Sequence, residues 1–110
     1  MNREYRTAYV YVRDIFAGIL KEEDFGYSFE YNSDYLKDEK NSAVSLTMPL
    51  REEAYRSGVL FPFFDGLIPE GWLLRTVISN WKLDGDDRFG LLLVACRDCI
   101  GNVSIQEAEE

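Results

Sequence analysis

The sequence contains no histidine. This absence excludes Ser-His-Asp triads, Cys-His dyads and most zinc sites, so any enzymatic activity would have to proceed without imidazole chemistry. Its longest mainly apolar runs, such as residues 89–96, are far shorter than the roughly 20 residues that a membrane-spanning helix needs. The N-terminus also lacks an apolar signal region. We therefore expect a soluble, cytoplasmic protein.

Cysteine is scarce as well, with Cys96 and Cys99 the only two. A pair at this spacing cannot link distant parts of a fold, and we expect both thiols to be reduced. The pair follows the predicted helix 89–96, and the dipole at a helix C-terminus disfavours a thiolate. We therefore expect both cysteines to serve as small, buried hydrophobic residues. The alternative is that the protein is a small thiol enzyme.

Basic residues are few: 12 Lys and Arg stand against 20 Asp and Glu, which gives a net charge of -8. Such a charge opposes direct binding to nucleic acid or to anionic lipid surfaces. Asp24-Phe25-Gly26 spells the metal-binding tripeptide of protein kinases, but the other kinase motifs are missing, so we interpret it as a chance match in a turn. We expect no cofactor and no metal.

The 110 residues, 46% of them hydrophobic, are enough for one core, so a single domain spanning residues 1–110 is predicted. Period-two alternation and β-branched or aromatic residues predict an antiparallel sheet. Strands are predicted at residues 5–12, 15–20, 27–31, 43–48 and 102–106, with polar turns at 13–14 and 21–24 and a polar loop at 51–57. Helices are predicted at 69–81 and 89–96, with a short turn or helix at 61–66. The fold class is therefore α+β, with about five strands and two or three helices packed on them.

The stretch Val59–Trp81 has two parts. Its phenylalanines are typical of a core, and within the predicted helix a stripe at three-and-four spacing also faces the core, namely Leu73, Leu74, Val77, Ile78 and Trp81. At about 100° per residue, Trp72 falls on nearly the opposite side of this helix. An exposed tryptophan is a preferred interface anchor, so Trp72 either contacts a partner or is covered by a loop such as 51–57.

Several charged residues flank these apolar positions and are candidates for an ion-pair network where the sheet meets the helices: Arg51, Asp65, Glu70, Arg75, Arg97 and Asp98. If these residues have no functional role, they form either a network that only stabilises the fold or a solvated rim.

Three blocks of sequence resemble a known family. Ser45-Leu46-Thr47-Met48-Pro49-Leu50-Arg51, then Phe61-Pro62-Phe63-Phe64-Asp65-Gly66-Leu67-Ile68-Pro69-Glu70-Gly71, then Asp98-Cys99-Ile100-Gly101 are similar, in order and spacing, to the N-terminal subdomain of HipA-type serine/threonine kinases. These kinases are the toxins of bacterial toxin-antitoxin systems. The middle block is the specific one, and the resemblance covers nearly the whole chain.

The resemblance implies a strongly curved, barrel-like antiparallel sheet that carries helices. It also implies that the chain is not itself an enzyme, because the kinase core would follow this subdomain. A stand-alone copy is similar to HipS-type antitoxins of HipBST systems, which act on a shortened HipT-like kinase. The implied partner contact is an aromatic residue after Pro-Glu-Gly that enters the kinase active site. Trp72 occupies this position here. We take Glu70, Gly71, Arg75 and Asp65 as the further candidate partner-binding residues.

Two other interpretations remain open. The chain could be an assembly module that links such a kinase to a HipB-like helix-turn-helix repressor on operator DNA. It could also be an excised piece of a longer kinase, against which its initial methionine and short acidic tail argue.

Overall fold

The computed structural model describes residues 5–68, 88–95 and 103–108. Within these ranges five strands form one antiparallel sheet in the order β4-β3-β2-β1-β5. The strands are β1 (Thr7–Val12), β2 (Ile15–Glu23), β3 (Gly26–Tyr31), β4 (Tyr55–Ser57) and β5 (Val103–Glu107), and the helices are α1 (Ser33–Lys37), α2 (Pro62–Asp65) and α3 (Arg88–Ala95). The predicted α+β class is confirmed. Among the described strands β4 and β5 form the two edges, so the sheet is open.

The meander of β1, β2 and β3 was predicted, and so was the first of its turns. Arg13 and Asp14 have φ angles of 52° and 66°, both in the left-handed region that a two-residue type I′ hairpin turn requires. The second turn was predicted too early. Strand β2 continues to Glu23 because its polar outward residues still pair across the sheet, with Lys21 opposite both Thr7 and Ser28.

One face of the sheet carries the core. Strand β1 alternates between buried and half-buried residues, and the buried set is Ala8, Val10 and Val12. The same face holds Leu20, Phe29 and Ile105, which are fully buried. Helices α2 and α3 close this face from above, through Phe64 against Phe29 at 5.5 Å between ring centroids and Phe89 against Tyr27 at 6.0 Å. The predicted core role of the phenylalanines is confirmed for Phe61 and Phe64, while Phe63 is half-buried.

The sheet contains a β-bulge in β2. Val10 lies opposite Gly18 and Tyr11 opposite Phe16, which leaves Ala17 as the extra residue. A bulge increases the local twist and bends the strand, which contributes to the curvature that the resemblance implied. On the β3 side of this strand, the Ala17 carbonyl accepts a hydrogen bond from the Asn32 backbone N–H at 2.7 Å, which continues the β2–β3 register and attaches the start of α1 to the sheet.

The strand predicted at 43–48 is wrong. Residues 45–48 form a tight turn in which the Met48 N–H donates to the Ser45 carbonyl at 3.1 Å and the Thr47 N–H donates to the Ser45 hydroxyl at 3.2 Å. Val44 and Met48 are buried on either side of the turn, while Leu46 is fully exposed within it. The alternating sequence therefore reflects two buried residues that flank a turn rather than a pleated strand.

The place beside β3 is taken by β4, in the segment predicted as a polar loop. Tyr55 lies opposite Phe29 in the ladder. The Tyr55 hydroxyl donates to the Pro49 carbonyl, and the Arg51 guanidinium lies 3.6 Å from the Tyr55 ring centroid. These contacts compensate for the small number of ladder pairs that a three-residue strand can form.

The 45–48 turn is attached to the sheet by Tyr31. Its hydroxyl, in the core, donates to the Met48 carbonyl and accepts a hydrogen bond from the Val44 N–H at 3.0 Å. Burial raises the pKa of Tyr31 to about 12, and burial also raises the pKa of Tyr35, whose hydroxyl donates to the Ser42 carbonyl. Two buried phenols therefore hold the segment between α1 and β4.

Replacing Tyr31 by phenylalanine should destabilise the fold by about 1–3 kcal/mol at neutral pH, because the buried Val44 N–H loses its acceptor. In the wild type the folded pKa of about 12 exceeds the ordinary value of 10. The contribution of Tyr31 is therefore complete below pH 10 and is lost as the pH rises toward 12. Urea unfolding from pH 9 to 12 should show a shallower fall in Tyr31→Phe than in the wild type. Parallel pH curves would contradict this assignment.

None of the helices in the described part of the chain is both long and apolar enough to cross a membrane.

Candidate functional site

The residues predicted to contact a partner lie in and just after α2. Asp65 is the one among them that the structure describes. Glu70, Gly71, Trp72 and Arg75 lie outside the described residues, together with the predicted helix 69–81. Cys96 and Cys99 also lie outside them. The described part of the site therefore consists of the two segments that flank residues 69–87, namely α2 with residues 66–68 on one side and α3 on the other. We call these two segments the base of the site.

Helix α2 and its buried residues fix the position of the chain just before residue 69. Pro62 occupies its first turn, where the missing N–H costs nothing, and Gly66 follows its last residue. The Asp65 N–H donates to the Phe61 carbonyl and the Gly66 N–H to the Pro62 carbonyl, both at 2.9 Å. Phe64 is fully buried, and Ile68 is 3% exposed. The chain thus reaches residue 69 from a buried anchor.

An ion pair connects α2 to the start of α3, and so connects the two segments that flank residues 69–87. The Arg88 Nε donates to the Asp65 Oδ1 at 2.7 Å, between the last residue of α2 and the first residue of α3. Both side chains are about two-fifths exposed, at 38% for Arg88 and 43% for Asp65. At that exposure an ion pair stabilises by no more than about 1 kcal/mol, so its main effect is to fix geometry.

Phe89 holds the start of α3 against the sheet. Its ring stacks on Tyr27 with an interplanar angle of 9°, and the Arg6 guanidinium lies 5.2 Å from its centroid. Arg6 is itself held by the Glu22 carboxylate: the Arg6 Nε donates to Oε1 at 2.7 Å and the Arg6 Nη2 donates to Oε2 at 3.0 Å. This two-pronged pair positions the guanidinium over the ring, where a cation–π contact is favourable.

These contacts hold the two segments that flank residues 69–87, namely α2 and the start of α3, next to each other. Ile68 and Phe89 are buried on either side of the segment, and the Asp65–Arg88 ion pair connects its flanks. Trp72 lies four residues after Ile68 in the sequence.

The predicted ion-pair network is only partly recovered. Asp65 is paired, but its partner Arg88 was not among the candidates, although it directly precedes the predicted helix 89–96 and could have been proposed from that position. Arg51 binds within its own loop, where it donates to the Glu53 and Ala54 carbonyls. The remaining candidates, Glu70, Arg75, Arg97 and Asp98, lie outside the described residues.

No group of three His, Cys, Asp or Glu side chains in the described ranges is arranged so that it could hold a metal ion.

In the described ranges, an open five-stranded antiparallel sheet with α2 and α3 packed on one face, in a chain of net charge -8, defines a small α+β domain. The HipA N-terminal domain family matches residues 8–106, and the chain belongs to this family. It is 34% identical over 105 residues to an uncharacterized protein of Haemophilus influenzae, and the alignment spans 96% of this chain and 95% of that protein. It is also similar to a solved structure, the N-terminal domain of HipA toxin, with 31% identity and a TM-score of 0.76. That match covers 100% of this chain and 99% of the other.

This membership confirms the family and the fold that the sequence blocks implied. A HipA N-terminal domain by itself is not a kinase domain, and the family associates the chain with HipA-type toxin-antitoxin modules and a HipA-type kinase partner.

Proposed function

We propose that this protein is a non-catalytic antitoxin that binds and inhibits a HipA- or HipT-like serine/threonine kinase, with Trp72 inserted at the kinase active site. The observation that carries the proposal is the match of the HipA N-terminal domain over residues 8–106, nearly the whole of this chain. A free copy of a subdomain that the kinase family normally carries can occupy the same surface on a kinase that lacks it.

The geometry at the base of the site supports Trp72 as the contacting residue. Asp65 and Arg88 join the flanks of the segment that contains it, and Phe64 and Phe89 anchor those flanks in the core. Tryptophan is enriched among residues that dominate interface energetics, because it buries a large rigid area.

The charge of the chain also supports a kinase partner. A net charge of -8 suits a cleft that binds nucleotide phosphates, since such clefts are lined with Lys and Arg. Inhibition by competition with phosphate groups is consistent with this complementarity.

Growth in a co-expression experiment tests the proposal in cells. A HipA-type kinase from the same genome is expressed alone and together with this chain, and we expect growth arrest alone and rescue with the chain. Arrest in both cases, with the chain present as folded protein, would contradict an antitoxin role.

An operator-shift assay with the kinase and a HipB-like repressor distinguishes inhibition from assembly. We expect the chain to neutralise the kinase without changing the retention of the complex on operator DNA. Loss of DNA retention when the chain is omitted, with kinase activity unchanged, would instead support an assembly module that links kinase and repressor.

A further inference from the structure

The outer face of the sheet, opposite to α2 and α3, carries a continuous patch of aromatic and aliphatic side chains. Tyr9 and Tyr11 alternate with the buried residues of β1 and remain half-buried. The Phe16 ring lies 5.4 Å from the Tyr9 ring and 5.8 Å from the Tyr11 ring. Ile19 lies directly opposite Tyr9 in the ladder. We refer to these four residues as the outer patch.

A groove of about 510 Å³ adjoins the outer patch, between α1 and strands β2 and β3. Its lining includes Ile19, Glu30, Leu36, Lys37 and Glu52, and we refer to these residues as the α1 groove. Ile19 belongs to both surfaces, and Glu30 lies opposite it in the β2–β3 register. The outer patch and the groove therefore meet at Ile19.

The charges at the α1 groove are mainly acidic. Glu30 and Glu52 are exposed at its walls. Lys37 lies 3.8 Å from Asp34, so its positive charge is partly balanced within α1. The remaining lining residues are apolar or neutral, namely Ile19, Tyr31, Leu36, Asn32 and Ser33. A groove with apolar side chains and two carboxylates at its walls is complementary to a Lys or Arg side chain, which packs its aliphatic stem on the apolar residues and keeps its charge beside the carboxylates.

The walls of the groove are held in place by hydrogen bonds and stacking. The Asn32 N–H donates to the bulged Ala17 carbonyl at 2.7 Å, which fixes the start of α1. Tyr35 stacks on Tyr31 with an interplanar angle of 5° and donates to the Ser42 carbonyl. A pre-formed groove binds a partner at lower entropic cost than one that must be ordered on binding.

We propose that the α1 groove and the outer patch form a second docking surface for the kinase partner, separate from Trp72. The occupant is a kinase segment that carries Lys or Arg beside an apolar residue. This inference rests on the proposed function. It adds a contact that holds the kinase on the domain, whereas Trp72 blocks the active site.

The test compares two charge reversals in neighbouring residues. Glu52 lines the groove, whereas Glu53 is exposed and is not among the lining residues, and reversing either one changes the net charge equally. Titration calorimetry against a purified HipA-type kinase from the same genome should show at least about tenfold weaker binding for Glu52→Lys, because an attraction to the basic kinase side chain is replaced by a repulsion. Glu53→Lys should bind within about twofold of the wild type.

Glu30→Gln provides a second variant at an exposed position on the groove wall and should also weaken binding. The affinity of the wild type should fall more steeply with salt than that of Glu52→Lys. Equal effects of Glu52→Lys and Glu53→Lys, or none in Glu52→Lys and Glu30→Gln, would overturn the groove while leaving the proposed function in place. A wild type that binds no such kinase would overturn the proposed function itself, and the groove with it.

Discussion

Trp72→Ala should strongly weaken kinase inhibition while leaving the domain folded. Truncating a central tryptophan anchor typically costs about 2–4 kcal/mol of binding free energy. At 1.4 kcal/mol for each factor of ten, this corresponds to roughly 30- to 700-fold weaker binding. We expect the dose of chain needed for half-inhibition of the kinase to rise by the same factor, as measured by phosphate transfer with purified proteins.

The matched control is Ser79→Ala, which lies on the same side of the predicted helix 69–81. It should leave inhibition within about twofold of the wild type. Both variants should retain the melting temperature of the wild type within a few degrees, because Trp72 is predicted to point away from the core stripe. Inhibition by Trp72→Ala at the wild-type dose would contradict insertion at the active site, though not binding elsewhere.

Phe64→Ala should destabilise the fold by about 3–5 kcal/mol. Phe64 is fully buried and contacts three other phenylalanine rings, with centroid distances of 5.5 Å to Phe29, 6.2 Å to Phe61 and 5.2 Å to Phe63. Domains of this size are stable by only about 5–15 kcal/mol, so the loss is a large part of the total. Urea unfolding should show a much lower midpoint with a similar slope.

The adjacent phenylalanine provides the control. Phe63 is half-buried, so Phe63→Ala removes less apolar surface from the core and should cost about half as much. A Phe64→Ala variant no less stable than Phe63→Ala would show that α2 is not anchored as described. Because α2 carries Asp65, we also expect Phe64→Ala to weaken kinase binding at temperatures where it is still folded.

Much of the sheet could be predicted from the sequence because its strands have one buried face. Strands β1, β3 and β5 alternate, and their alternation follows the burial of residues such as Val10, Phe29 and Ile105. Alternation failed at 43–48, where Val44 and Met48 are buried on either side of a turn. A local pattern cannot distinguish this turn from a pleated strand, since both place an apolar residue at every second position.

Strand β4 was missed for a related reason. It has three residues, Tyr55–Ser57, and is defined by its pairing with β3 rather than by a pattern of its own. Short edge strands of this kind depend on tertiary contacts, here the position of Tyr55 opposite Phe29, and these contacts override local propensity.

The candidate site could likewise be predicted from the sequence only in part. Asp65 could be selected because it lies in the sequence block that resembles the HipA N-terminal subdomain. Its partner Arg88 is 23 residues away, and the ion pair depends on how Phe89 packs against Tyr27. The α1 groove draws Ile19, Leu36 and Glu52 from three separate segments, so the spacing of residues gives no sign of it.

The measurement that tests the central claim most directly is the activity of a purified HipA-type kinase from the same genome, titrated with this protein. We expect phosphate transfer to fall in proportion to the chain added and to be lost once the chain saturates the kinase. The same mixture should show a complex of the two proteins by size-exclusion chromatography. An unchanged rate of phosphate transfer at a saturating concentration of folded chain would contradict the account.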